Sequence, residues 1–241
     1  MNKIHRNSNP SHKISEVLES ISRDRTRTNL LSKYEQRTIA FLVQRIPSLI
    51  SSNMLTAVGF FGNIIVFLSF ILATYVHKNF LLLGVLGFAI SWFGDSLDGR
   101  VAYFRNKPRK WYGFTLDITI DWMSIILIGF GYIIYSDEVL ELLGYGFVVM
   151  YGWEMIIALM RYKITGKYSI DSGKFGPTEA RIVISMIMVA EVLFHGSIIY
   201  SVIVIDVVMF FVNIIDTRKL LHIADDMDIK ETEQKLHKEN N

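Results

Sequence analysis

The 241-residue chain predicts an all-α integral membrane protein, with six transmembrane helices preceded by an amphipathic interfacial helix. Three observations carry this expectation. Hydrophobic residues make up 51% of the chain and the mean hydropathy is +0.33, high for a soluble domain. Hydrophobic segments near the ~20 residues that cross a bilayer as a helix recur at about 54–76, 80–102, 114–135, 139–160, 178–194 and 197–215. Basic residues gather in alternate connections, as the positive-inside rule requires of a multi-pass protein. The absence of cysteine excludes a disulfide framework and a thiolate metal site. A net charge of +2 is too small to point to nucleic acid.

Residues 1–31 are polar and mixed in charge, without an apolar run long enough for a signal peptide, and read as a cytosolic arm. Over 32–50, Tyr34, Ile39, Ala40, Leu42, Val43, Ile46 and Leu49 recur at helical spacing among Lys33, Glu35, Arg37 and Arg45. This reads as an amphipathic helix on the membrane surface, with its basic residues near anionic headgroups. The same pattern also suits a packed helix of a soluble subdomain. Residues 51–217 form one membrane domain without a repeat period. The charged, weakly periodic tail over 218–241 reads as a short solvated helix or disorder.

Charge sets the orientation. Arg37 and Arg45 precede the first span. Arg105, Lys107, Arg109 and Lys110 join the second to the third, Arg161, Lys163, Lys167 and Lys174 the fourth to the fifth, and Arg218 and Lys219 follow the sixth. The opposite connections hold His77 with Lys78, Asp137 with Glu138, and His195 with Gly196. Both termini are therefore expected in the cytoplasm.

At that cytoplasmic end lies the chemistry-bearing stretch, DSLDGRVAYFRNKPRKWYGFTLDITID, from Asp95 to Asp121. Asp95 and Asp98 are three residues apart and Asp117 and Asp121 four, so each pair projects from one helix face. Like charges so placed repel, and at membrane depth they are costly unless they face a cavity and a counter-charge. Hard oxygen ligands suit Mg²⁺ or Mn²⁺, and two such ions would clamp a phosphate and a leaving group. Gly99 and Gly113 leave room for a ligand, and Ala102, one turn past Asp98, keeps the same face open.

The array Asp95-x2-Asp98-Gly99-x2-Ala102-x10-Gly113-x3-Asp117-x3-Asp121 resembles the signature of the CDP-alcohol phosphotransferases, integral-membrane enzymes of phospholipid synthesis. It matches seven positions over 27 residues. One position departs: Tyr103 stands where the family usually has Arg, with Arg100 and Arg105 as neighbours. The resemblance implies a CDP-linked donor, an alcohol acceptor, membrane lipid as a partner and release of CMP. It implies Asp95, Asp98 and Asp117 as metal ligands, and Asp121 as both a ligand and the general base on the acceptor hydroxyl. Gly99 and Ala102 would wall the cytidine. Homodimerisation is common in the family.

Asn53 and Thr56, opening the first span, look like the family's Asn-x-x-Thr near the nucleotide, and helix capping accounts for them equally well. In the stretch 161–181, Gly173, Gly176 and Pro177 break the chain before Glu179 and Arg181 enter the fifth span. The Gly-Pro-x-Glu piece is similar to one in the choline and ethanolamine branch, whereas Arg181 is similar to arginines that bind anionic acceptors in the inositol-phosphate branch. Glu179 and Arg181 are expected to line the acceptor site. Glu154 and Asp206, ionisable residues at membrane depth, are expected to be hydrogen-bonded structural groups. The donor is expected to be CDP-diacylglycerol, with a CDP-aminoalcohol and a lipid acceptor as the alternative. Outside this family, buried acids on several spans suit a cation transporter; within it, Tyr103 suits an inactive relative kept as a scaffold.

Overall fold

The computed structural model describes residues 32–166 and 176–239, and among these residues it has seven α-helices. The arm over 1–31, together with Lys167, Gly173 and Lys174, lies outside the described residues. The helices are α1 (Ser32–Val43), α2 (Ser52–Tyr75), α3 (Leu81–Phe104), α4 (Lys110–Tyr135), α5 (Glu141–Thr165), α6 (Pro177–Leu193) and α7 (Ser197–Glu239). Single 3₁₀ turns at Lys78–Phe80 and Glu138–Leu140 lead into α3 and α5, and there are no strands among the described residues.

Among the described residues, five stretches are long and apolar enough to cross a membrane: α2, α3 with its leading 3₁₀ turn, α4, α5 and α7. The expected fifth span, over 178–194, is α6, a 17-residue helix that is not among them. At 1.5 Å per residue it rises about 25 Å, short of the ~30 Å hydrocarbon core. Its two ends nevertheless reach both levels of the bundle. Arg181 near its start meets Asp95 of α3, and Glu191 near its end meets Tyr135, the last residue of α4.

Helices α2 to α7 pack as a closed ring in the order α2, α4, α5, α7, α6, α3. Its core joins Val66 and Phe70 of α2, Phe88 of α3, Ile125 and Ile128 of α4 and Met188 of α6. The tightest crossing is between α2 and α3, where glycines face each other. A Cβ on Gly62 would fall 2.6 Å from the Gly87 carbonyl oxygen, inside van der Waals contact. Small residues let two helix backbones approach where the solvent is lipid and packing drives association.

Several expected boundaries move. α1 ends at Val43, and turns then run to Ile50, because Pro47 cannot continue the hydrogen-bond ladder. Its buried Ile39, Ala40 and Val43 pack on Leu55 of α2 and Leu97 and Val101 of α3, while Tyr34 and Phe41 stay exposed. One face of this helix is thus spent on the bundle. Arg105 ties the following turns down: its guanidinium donates to the carbonyls of Ile50 at 2.5 Å, Pro47 at 2.8 Å and Ile46 at 3.2 Å. The tail is neither a separate short helix nor disorder as far as Glu239, because α7 continues unbroken for 43 residues. No Gly or Pro interrupts it, and its polar half is rich in helix-forming Lys, Glu and Leu.

Two intramembrane expectations fail on partners. Buried Glu154 Oε2 and Asp206 Oδ1 have no hydrogen-bond partner among the described residues. Glu191, a buried acid with no motif around it, uses both of its oxygens. It accepts from the Ile198 amide at 2.8 Å, the Gly196 amide at 2.9 Å, the Tyr135 hydroxyl at 2.9 Å and the Ser197 hydroxyl at 3.3 Å, with His195 Nδ1 at 3.0 Å. It thereby satisfies the opening amides of α7, which lack intrahelical partners.

Candidate active site

The end of the ring holding the last turns of α3 and the first turns of α2, α4 and α6 collects most of the side chains singled out in the sequence. Spacing does the local work. Asp117 and Asp121, four apart on α4, share a face, and the C-terminal part of α3 carries Asp95 toward them. One carboxylate oxygen from each of Asp95, Asp117 and Asp121 lies within 4.8 Å of the other two.

Asp98 is placed differently. Its Oδ2 accepts from the Thr56 hydroxyl at 2.7 Å, and its Oδ1 accepts from the Gly99 amide. The Ser52 hydroxyl reaches its backbone carbonyl at 2.8 Å. Asp98 is thus fixed by the start of α2, beside the three-carboxylate group.

A cation from a third helix faces the acids. Arg181 Nη2 lies 2.8 Å from Asp95 Oδ2 as a charge-assisted hydrogen bond, with both side chains largely buried. Glu179 lies two residues earlier. It is buried at the start of α6, where its Oε2 accepts from the Gly176 amide at 3.1 Å. This is the acidic half of a capping box; glycine has no side chain to supply the other half.

Asn53 and Thr56 do not cap α2, since that role belongs to Ser51, whose hydroxyl accepts from the Met54 amide at 3.2 Å. Thr56 serves Asp98. Asn53 donates to the Tyr112 hydroxyl at 3.2 Å and accepts from Arg109 Nη2 at 2.5 Å, and the Arg109 guanidinium lies 4.0 Å from the Tyr112 ring centroid. Arg109 and Tyr112 had no place among the sequence candidates, because Arg109 counted only as topogenic charge. With Arg105 committed to backbone carbonyls, it does not supply the guanidinium that Tyr103 lacks.

The glycines divide into two kinds. Gly59, Gly62, Gly87 and Gly94 are helix contacts, but a Cβ added to Gly99 or Gly113 would meet nothing within 4 Å. Neither of the latter is needed for packing, and both border open space beside the acids. Ala102 lies on the same helix, half-buried.

Residues 49–214 match the CDP-alcohol phosphatidyltransferase model, well over half of the chain. The chain belongs to the CDP-alcohol phosphatidyltransferase family. Comparison with curated proteins finds no match. Membership in the family gives the reaction class: transfer of a substituted phosphate group, as in phospholipid synthesis, from a CDP-linked donor to an alcohol. Divalent metal is general in the family, and the carboxylate cluster of this member is able to hold such an ion.

One mutation separates space kept for packing from space kept for a ligand. Gly99→Ala is expected to leave thermal unfolding unchanged or to raise it, since Ala favours a helix by up to about 1 kcal/mol over Gly. The same change is expected to raise the KM for the CDP-linked donor severalfold. A variant with wild-type KM would show that the space beside Gly99 is not used by the donor.

Proposed function

We propose that this protein transfers a phosphatidyl group from CDP-diacylglycerol to the hydroxyl of a small polar acceptor, releasing CMP at the cytoplasmic face of a membrane. The observation that carries the proposal is the convergence of Asp95, Asp117 and Asp121 on one another beside Arg181 and the open faces of Gly99 and Gly113. The three carboxylates offer an all-oxygen donor set, and that set fits Mg²⁺ or Mn²⁺. Asp95, Asp117 and Asp121 would hold the metal, with Asp98, steadied by Thr56, completing a site for two ions. Bound there, divalent ions would neutralise the diphosphate and stabilise the departing CMP.

The side chains account for the rest. Asp121 takes the proton of the acceptor hydroxyl. The acceptor oxygen forms a bond to the β-phosphorus, the bond from that phosphorus to the bridging oxygen breaks, and the bridging oxygen leaves with CMP. Gly99, Ala102 and Gly113 give the nucleotide a surface without projecting side chains, and Asn53 and Thr56 frame it from α2. Arg181 orients an anionic acceptor, while Glu179 supports it by fixing the start of α6. We place α6 as a further crossing, the fifth of six in chain order, residues 51–217 as the membrane domain, α1 against the cytoplasmic membrane surface and both termini in the cytoplasm. The basic connections around the carboxylate end support that orientation.

The test is CMP release by purified full-length protein with Mg²⁺ or Mn²⁺. CDP-diacylglycerol and CDP-choline or CDP-ethanolamine run in parallel, each against a panel of acceptors. Release from CDP-diacylglycerol is expected. In Arg181→Ala the KM for an anionic acceptor is expected to rise about tenfold or more, the scale of one lost charge-assisted contact. Release from the CDP-aminoalcohols alone would overturn the donor assignment, and an unchanged acceptor KM would overturn the role of Arg181.

A further inference from the structure

Arg109 opens a row on α4. It sits at the helix N-cap, and Gly113, Asp117 and Asp121 follow at intervals of four residues, along one ridge of the helix. Between Arg109 and Asp117 lie two turns, about 12 Å of rise. Halfway along is Gly113, beside which a Cβ would meet nothing. The ridge therefore runs from a cation at the rim, across open space, to the carboxylates.

The rim cation is held in place by neutral groups. The Tyr112 ring lies against its guanidinium at 4.0 Å, Asn53 accepts one of its N–H groups at 2.5 Å, and the Asn53 amide in turn holds the Tyr112 hydroxyl at 3.2 Å. An Arg fixed by stacking and by an amide keeps a planar fork of further donors for a ligand. Its distance from the acids decides which part of a ligand it meets. A diphosphate belongs at the carboxylates and their metal, two turns away, and the group that extends from the diphosphate across Gly113 to the rim is the nucleoside.

We propose that Arg109, positioned by Asn53 and Tyr112, reads the pairing edge of the donor's cytosine. Cytosine presents two adjacent acceptors there, O2 and N3, which match two parallel N–H groups of a guanidinium, as arginine matches the paired acceptors of guanine. Uracil carries N3–H at the same place, turning one acceptor into a donor that opposes the fork. Arg109 would thus make the site selective for cytidine over uridine nucleotides. The inference rests on the CDP-linked donor of the proposed function.

The experiment measures binding of CMP and UMP, with Mg²⁺ present, to the purified full chain by titration calorimetry. Wild type is compared with Arg109→Ala and Arg109→Lys, and thermal unfolding serves as the check on folding. Arg109 is exposed at the rim, so both variants are expected to melt with wild type. Wild type is expected to favour CMP over UMP by about tenfold or more, the scale of one bidentate base contact. Arg109→Ala is expected to lose most of that preference through weaker CMP binding, and Arg109→Lys, which lacks the fork, not to restore it. A CMP preference that survives in Arg109→Ala overturns the inference and leaves the donor assignment standing. Equal weakening of CMP and UMP also overturns it and assigns Arg109 to the phosphate. Failure of wild type to bind CMP overturns both this inference and the proposed function.

Discussion

Asp121→Asn is expected to lower the rate of CMP release by about a thousandfold, within the range assigned to a positioned general base. Asparagine is nearly isosteric with aspartate but cannot take the proton of the acceptor hydroxyl. The structural side of the change is mild. Asp121 shares its surroundings with Asp95 and Asp117, and removing one of three like charges relieves repulsion. Thermal unfolding is therefore expected at or above the wild-type temperature, so a dead enzyme is not mistaken for an unfolded one. Release within about tenfold of wild type would remove Asp121 from the chemistry, since even the weaker general bases contribute more than that.

The largest expected effect on stability lies at the other end of the bundle. Glu191→Leu puts an apolar side chain of similar size in place of the carboxylate and leaves the amides of Gly196 and Ile198 and the hydroxyls of Tyr135 and Ser197 without their acceptor. Glu191 is buried, so the groups that it accepts from lose a partner inside the packed end of the bundle. At about 1 kcal/mol or more for each lost partner, the variant is expected to be destabilised by roughly 3–5 kcal/mol. That corresponds to a fall in unfolding temperature on the order of 10 °C for a chain of this size. Glu191→Gln keeps one carbonyl acceptor and is expected to lose about half as much. A Glu191→Leu protein that melts with wild type would show that the α6–α7 turn is held by its apolar contacts alone.

The acidic array was legible in the sequence because the spacings of three and four that place each pair on one helix face follow from helix geometry alone. Helix positions were legible because lipid-facing helices must be long and apolar. What escaped depends on contacts between segments far apart in sequence. Nothing local separates Asp98 from the other three acids; that follows from Thr56, 42 residues earlier. Arg181 could be placed near the acids, but its bond to Asp95 spans 86 residues. Arg105 and Arg109 look alike as loop charges, yet one closes the end of the α1–α2 connection and the other lies on Tyr112. Glu179 sat at the expected helix end and is used there as a cap. Glu191 lay within a predicted span without a motif around it. The length of α7 was hidden for another reason: hydropathy falls after Ile215, whereas helix propensity does not.

The most direct test of the central claim is CMP release from CDP-diacylglycerol by the purified wild-type chain, measured before chelation, after removal of divalent ions, and after return of Mg²⁺ or Mn²⁺. The carboxylate cluster predicts release that stops on chelation and returns with the metal. Release that is indifferent to chelation would contradict the metal-dependent site, and no release from any CDP-linked donor by folded protein would contradict the assignment of this chain as a working transferase.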